Sequence, residues 1–186
     1  MLRLLLVVWM LMVFRVQADE LPFYAAGSLN VFQVNNQTTQ PSTQSSPSTA
    51  GFLLGYSVNR YLGAEAQGML GLGHASASYC NPACSQADVS VLHGEAVYLR
   101  ASLPWGPLQP YVRAGWANTN VQTIPLGSVS GITQSEHGAA VGAGLGVRID
   151  DRRQIYIDWQ NLSAQHEHIN VFGLGYFERF SFTGRY

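Results

Sequence analysis

A chain of 186 residues with a formal net charge of −1, 47% hydrophobic and only 11% charged, has room for one domain. It carries too little charge for an ordinary water-covered surface, where about a quarter of residues is charged. All ten basic residues are arginine and they form no basic patch, so a nucleic-acid partner is not expected. Its 19 glycines follow no triplet period, which excludes a collagen-like rod and a Gly-rich linker.

The N-terminus has the pattern of a secretory leader. Arg3 supplies a positive start, "LLLVVWMLMVF" from Leu4 to Phe14 is an apolar core, and Val16 and Ala18 are the small residues before a cleavage point. A leader over 1–18 and a mature chain over 19–186 are expected. Eleven apolar residues fall short of the roughly 20 that a helix needs to cross a bilayer. No later segment is longer and as apolar, so any membrane crossing must be made by strands.

The mature sequence divides into about eight alternating segments of the roughly 9 to 11 residues that cross a bilayer as a tilted strand. Side chains of a strand point alternately to opposite faces, and each segment has one apolar set. The first sets Phe23, Ala25, Gly27, Leu29 and Val31 against Tyr24, Ala26, Ser28 and Asn30; the second sets Phe52, Leu54, Tyr56 and Val58 against Gly51, Gly55, Ser57 and Asn59. The third sets Ala64, Ala66, Leu70 and Leu72 against Glu65, Gln67, Gly71 and Gly73. In the fourth and fifth, Val97, Leu99, Ala101, Leu103, Val112, Ala114 and Trp116 oppose Tyr98, Arg100, Ser102, Tyr111, Arg113 and Gly115. The sixth, "GAAVGAGLGVRID", alternates Val141, Ala143, Leu145 and Val147 with Gly142, Gly144, Gly146 and Arg148. The seventh opposes Ile155, Ile157 and Trp159 to Tyr156, Asp158 and Gln160, and the eighth opposes Phe172, Leu174, Tyr176 and Phe180 to Val171, Gly173, Gly175 and Arg179.

Long polar connections at about 35–50, 79–90 and 120–137 alternate with short ones at 60–62, 104–109 and 150–153. Outer-membrane barrels have long loops outside and tight periplasmic turns. A secreted soluble barrel or sandwich gives no reason for that alternation, and its surface would need more charge. The expected fold is an all-β, eight-stranded antiparallel up-and-down transmembrane barrel.

Glu65, Arg100, Arg113, Arg148, Asp158 and Arg179 all take the small or polar parity. Buried charges must be paired or hydrogen-bonded, so an ion-pair network across the interior is expected from these residues. Four cations against two carboxylates do not balance, which leaves water, tyrosine hydroxyls or a different placement to complete it. Eight strands enclose an interior just wide enough for side chains, so the glycines of the sixth segment make room for residues such as Tyr98, Tyr111 and Arg148. Glu95 and Glu178 take the lipid parity, which is tolerable only near an interface or with a shifted register.

Cys80 and Cys84 in "YCNPACS" suit an oxidising compartment, and the intervening Asn81-Pro82 favours a turn. A disulfide clamping this loop is the first reading; a metal or redox pair is the alternative. The histidines His74, His93, His137, His166 and His168 map near loop ends, which makes His93, His137, His166 and His168 weak metal candidates and polar rim residues the favoured reading. No cofactor is expected.

The runs "NRYLGAEAQG", "LPWGPLQPYVRAGWA", "GAAVGAGLGVRI" and "INVFGLGYFERF" resemble the eight-stranded outer-membrane β-barrel family that includes the OmpA transmembrane domain, OmpX and Opa-type proteins. The resemblance spans nearly the whole mature chain. It implies location in the bacterial outer membrane, contact with membrane lipids and lipopolysaccharide, and assembly by the barrel-assembly machinery, which reads a terminal aromatic residue. Phe180 fits that position, yet Tyr186 ends the chain in the same parity, and both stay open as the strand end. The expected role is structural or cell-surface interaction through the loops, with a partner the sequence does not name. A small pore is the second reading. A lipid A hydrolase is the third and is disfavoured, because the sequence singles out no nucleophile for it.

Overall fold

The computed structural model describes residues 22–35, 44–80, 84–125, 131–163 and 168–180. Ten strands run along these residues: β1 (Phe23–Asn35), β2 (Gln44–Ser45), β3 (Ser48–Ser57), β4 (Leu62–Gly71), β5 (His74–Cys80), β6 (Cys84–Ser102), β7 (Leu108–Pro125), β8 (Ile132–Arg148), β9 (Arg153–Ser163) and β10 (His168–Phe180). Eight of them form the ring β10-β9-β8-β7-β6-β4-β3-β1, closed where β1 pairs with β10 from Phe23↔Phe180 to Asn35↔His168. Every pairing is antiparallel. Closure removes the free edge that lipid could not hydrogen-bond. β2 pairs with β1, and β5 pairs with β6 outside the ring.

Three tight turns lie at the end where β1 begins and β10 finishes, each with its own chemistry. The Asn59 carboxamide oxygen accepts from the backbone N–H groups of Tyr61 and Leu62, at 2.8 Å each. The Asp150 carboxylate does the same for Arg152 and Arg153, at 2.8 and 2.7 Å. These are Asx turns. Between Trp105 and Leu108, reciprocal backbone hydrogen bonds of 2.8 and 3.1 Å close a two-residue turn whose Gly106 has φ +59°. A side chain rarely adopts that conformation, and glycine does so freely.

The outward and inward sets follow the alternation of the sequence. Leu29, Phe52, Leu54, Val97, Leu99, Val112, Trp116, Val141, Ile157, Phe172 and Leu174 are exposed on the outer wall. Tyr24, Asn30, Glu65, Tyr98, Arg100, Tyr111, Arg113, Asp158 and Gln160 are buried within. In water that outer wall would be an extensive apolar patch; in a bilayer it is the lipid contact. The interior is layered. Phe32, Met69, Val91, Leu162, Ile169 and Val171 belong to an apolar cluster toward the loop end, and Tyr24, Leu53, Tyr156 and Phe177 form another toward the turn end.

The connections expected at 79–90 and 120–137 are mostly strand. β6, β7 and β8 have 19, 18 and 17 residues, well beyond the roughly 9 to 11 needed for a crossing. Ala87–Val91 pairs with Val121–Pro125, and Thr123–Asn120 pairs with Ile132–Ser135, so the sheet continues past the ring on the loop side. The reason is a second stretch of alternation, with Ala87, Val89, Val91 and Val121 buried, and Val89 packing against Val121. A register shift between Val91 and His93 lies where β4 and β5 part; such a bulge bends the strand and re-aims its faces.

Candidate functional site

Arg100 on β6 and Arg113 on β7 are direct cross-strand partners on the interior face. Two like charges so placed repel, and β4 supplies the group that offsets this. Glu65 accepts from Arg100 Nη1 through Oε1 at 2.8 Å and from Arg113 Nη1 through Oε2 at 3.3 Å. Its Oε1 also accepts the Tyr24 hydroxyl at 2.8 Å. Arg113 reaches Asp158 on β9 through Nη2, and Asp158 accepts from Gln160 Nε2 at 3.1 Å. Tyr98 donates to Gln160 Oε1 at 2.8 Å. Side-chain exposure in the ion pairs is at most 8%, so bulk water screens them little.

Aromatic rings complete the surroundings. The Arg100 guanidinium carbon lies 3.8 Å from the Tyr111 ring centroid, and that of Arg113 lies 4.7 Å from Tyr98. These are cation–π contacts in a desolvated setting. The glycines of β8 make this packing possible, although not for all the residues expected. A Cβ on Gly144 would strike the Tyr111 ring, one on Gly146 would strike Gln154, and one on Gly142 would crowd Arg113 at 3.2 Å and the Trp159 carbonyl at 2.8 Å.

Of the six interior charges expected from the sequence, the structure brings together Glu65, Arg100, Arg113 and Asp158. Arg148 is a correction: it is exposed at the turn end, where its backbone N–H donates to the Pro107 carbonyl at 2.8 Å. Arg179 is a second correction. It is half-buried two residues beyond Phe177, with its guanidinium carbon 5.7 Å from that ring, on the rim rather than in the central cluster. With both removed, two cations face two carboxylates and the imbalance disappears. Tyr24 and Gln160 are the partners that a search for charged residues passes over; each has the interior parity and a polar tip.

The outer wall near the loop end holds a separate polar patch. Glu95, Asn118 and His137 are consecutive cross-strand partners, as are His93, Asn120 and Ser135. Asn118 donates to Glu95 Oε1 at 3.3 Å, Ser135 donates to Asn118 Oδ1 at 3.0 Å, and Asn120 Nδ2 lies 2.7 Å from His93 Nε2. The His137 ring centroid is 6.3 Å from that of Trp116. Among the described residues no three His, Cys, Asp or Glu side chains converge as a metal site requires. His166 and the side chain of His168 lie outside the described residues. The backbones of Cys80 and Cys84 are cross-strand partners; their side chains also lie outside the described residues.

The outer membrane protein beta-barrel domain model matches residues 3–180. No curated protein matches. Among solved structures, Ail, the attachment invasion locus protein of Yersinia pestis, superposes with a TM-score of 0.59 at 13% identity, over 87% of this chain and all of that one. Neisserial surface protein A gives 0.60 at 11% identity, over 85% of this chain and 97% of that one. OprG from Pseudomonas aeruginosa gives 0.59 at 13% identity, over 89% and 99%. At such identities the likeness is one of fold. The family match and the closed, lipid-faced ring agree that the chain belongs to the outer-membrane protein β-barrel domain family and resides in the outer membrane.

Proposed function

We propose that the protein is a non-conducting barrel that holds an extracellular sheet as an interaction surface. The observation that carries this reading is the overshoot of β6, β7 and β8, with β5 paired to β6, beyond the length a bilayer demands. A pure anchor needs no such extension, and rigid scaffolds that raise a surface above the membrane serve recognition. The filled interior supports the non-conducting half of the proposal. An apolar layer around Phe32, Met69, Ile169 and Val171 lies in series with the Glu65–Arg100–Arg113–Asp158 cluster.

The partner differs in chemistry from one known ligand of the fold. Ail has been solved with the heparin analogue sucrose octasulfate, a polyanion. Between residues 114 and 147, and again between 154 and 178, this chain has no arginine or lysine, while Glu136 and Glu167 fall in those stretches. The loop end therefore suits a neutral or cationic partner that is held by hydrogen bonds and aromatic contact rather than by phosphate-type pairing. Cys80 and Cys84 fit a disulfide that locks the tip of the β5–β6 hairpin, since directly opposed residues of antiparallel strands have the Cα spacing a disulfide takes.

Two measurements test the reading together. Planar-bilayer recordings of the refolded protein are expected to show no channel steps, and steady conductance would overturn the filled interior. Bacteria displaying the protein are expected to adhere to host-cell or matrix surfaces more than bacteria displaying a variant with the β5–β6 and β7–β8 extensions shortened to tight turns. Equal adherence by two heat-modifiable, folded barrels would remove the interaction role.

A further inference from the structure

The outer wall is not uniformly covered. On β4 the outward residues Ala64, Ala66 and Gly68 are small, whereas their cross-strand neighbours are Tyr56, Leu54 and Phe52 on β3, and Leu99, Val97 and Glu95 on β6. A trough of about 900 Å³ results, floored by Ala64 and Ala66, with Leu54 and Tyr56 on one side and Val97, Leu99 and Trp116 on the other. Around Leu54, Ala66, Val97 and Trp116 it continues into a second recess of about 410 Å³ that ends on Glu95 and Asn118. From Ala64 to Gly68 the strand advances about 14 Å, which at the usual barrel tilt is roughly 10 Å of depth, and the Phe52 ring covers Gly68 at the loop-side end.

The head of the trough is the informative part. Glu95 is exposed on the lipid-facing parity, where a carboxylate near the membrane is unfavourable unless its surroundings compensate. Asn118 offers it one hydrogen bond, and among the described residues no arginine pairs with it. Trp116 lies one outward position nearer the turn end than Asn118, where an indole marks the boundary between hydrocarbon and headgroups. The wall thus presents an apolar trough, capped at the loop side by an anionic acceptor among neutral hydrogen-bonding groups.

We propose that this trough is a binding site for one membrane lipid whose headgroup carries a primary ammonium, with an acyl chain over Ala64 and Ala66 and the ammonium donating to Glu95. A bulk lipid with a choline head fills the same channel but offers no N–H donor to the carboxylate. The proposal is independent of the adhesion reading, because it concerns the wall below the extracellular sheet.

Trp116 provides the reporter. In a Trp105→Phe, Trp159→Phe background, the full mature barrel is placed in nanodiscs holding equal fractions of acyl-brominated lipid with either an ethanolamine or a choline head. Ethanolamine-headed bromolipid is expected to quench Trp116 more strongly, Glu95→Gln to remove that excess, and Ala66→Phe to lower quenching by both lipids. Equal quenching by the two lipids in the parent protein would overturn the proposal, as would an excess that survives Glu95→Gln. Concentration-dependent cross-linking of Leu99→Cys barrels through this wall would also overturn it, since a second copy would then be the occupant. Heat-modifiable migration of each variant confirms folding, and Glu95→Gln, at an exposed site, is the variant that keeps the test decisive.

Discussion

Removing the Glu65 carboxylate should be the most damaging single change of charge in the barrel. Glu65 has a fully buried side chain and serves Tyr24, Arg100 and Arg113 together. In Glu65→Gln, Arg113 retains Asp158, but Arg100 loses the carboxylate of its ion pair. Breaking a buried ion pair from one side leaves an uncompensated charge and costs about 3 to 5 kcal/mol. The Tyr111 face beneath the Arg100 guanidinium is present in both proteins and so offsets none of that difference. Asp158→Asn is a milder change, about 1 to 3 kcal/mol, because Arg113 keeps Glu65. Equilibrium urea unfolding of the refolded barrel in lipid vesicles would measure both, and adding Arg100→Met to Glu65→Gln should recover much of the loss. If Glu65→Gln cost under about 1 kcal/mol and the two substitutions were additive, Arg100 would be solvated independently of Glu65 and the pairing argument would fail.

Depth along one strand gives a second expectation. Val141→Arg, outward within the crossing, should cost about 2 to 4 kcal/mol, whereas Thr133→Arg, outward on the same strand but past the ring, should be close to neutral; equal penalties in vesicle unfolding would mean that the membrane reaches the extended sheet. The Arg152 and Arg153 amides hold the Asp150 carboxyl below its usual range. Its contribution is therefore present above the ordinary carboxylate pKa and is lost as pH falls through the lowered one. The stability difference between wild type and Asp150→Ala should shrink across that acid window, and a difference independent of pH would show that the turn does not depend on the carboxylate.

The face that each residue takes was legible in the sequence, while its height was not. Strand parity separates Val141 from Ala140 without ambiguity, and Ala140 is 1% exposed against 47% for Val141. Parity is silent about position along the strand. Arg100 and Arg148 share the inward phase, yet one lies two residues inside the turn-side end of β6 and the other is the last residue of β8, at a turn, so only the first is buried. The same silence explains the connections. "SQADVSV" and "NTNVQTI" are polar enough to read as loop, and their buried valines matter only once the two segments are opposed across β6 and β7. Glu95 shows the reverse case: its outward parity conflicts with a uniform lipid band, and the conflict marks a place where the wall has a feature of its own.

An apolar filling would serve the interior at least as well for stability, since replacing buried ion pairs by packed hydrophobic groups is often neutral or stabilising. The four charges have a different consequence during assembly. Because side chains alternate with period two, a one-residue slip in any pairing turns a strand's inward set outward. For β6 or β7 such a slip would put Arg100 or Arg113 into hydrocarbon, at about 2 to 4 kcal/mol each near the midplane. The glycine-rich β8 offers little resistance of its own, with Gly142, Gly144 and Gly146 on its inward face. Charges on β4, β6, β7 and β9 therefore penalise misregistered barrels more than they stabilise the native one. Replacing Glu65 and Asp158 by Leu, and Arg100 and Arg113 by Met, should leave equilibrium stability within about 2 kcal/mol of wild type or above it. Folding into vesicles should nevertheless become slower and give several species by gel mobility. A variant that folds as fast as wild type into one species would show that register is set by the turns alone, at Asn59, Gly106 and Asp150, and that the interior charges have no part in it.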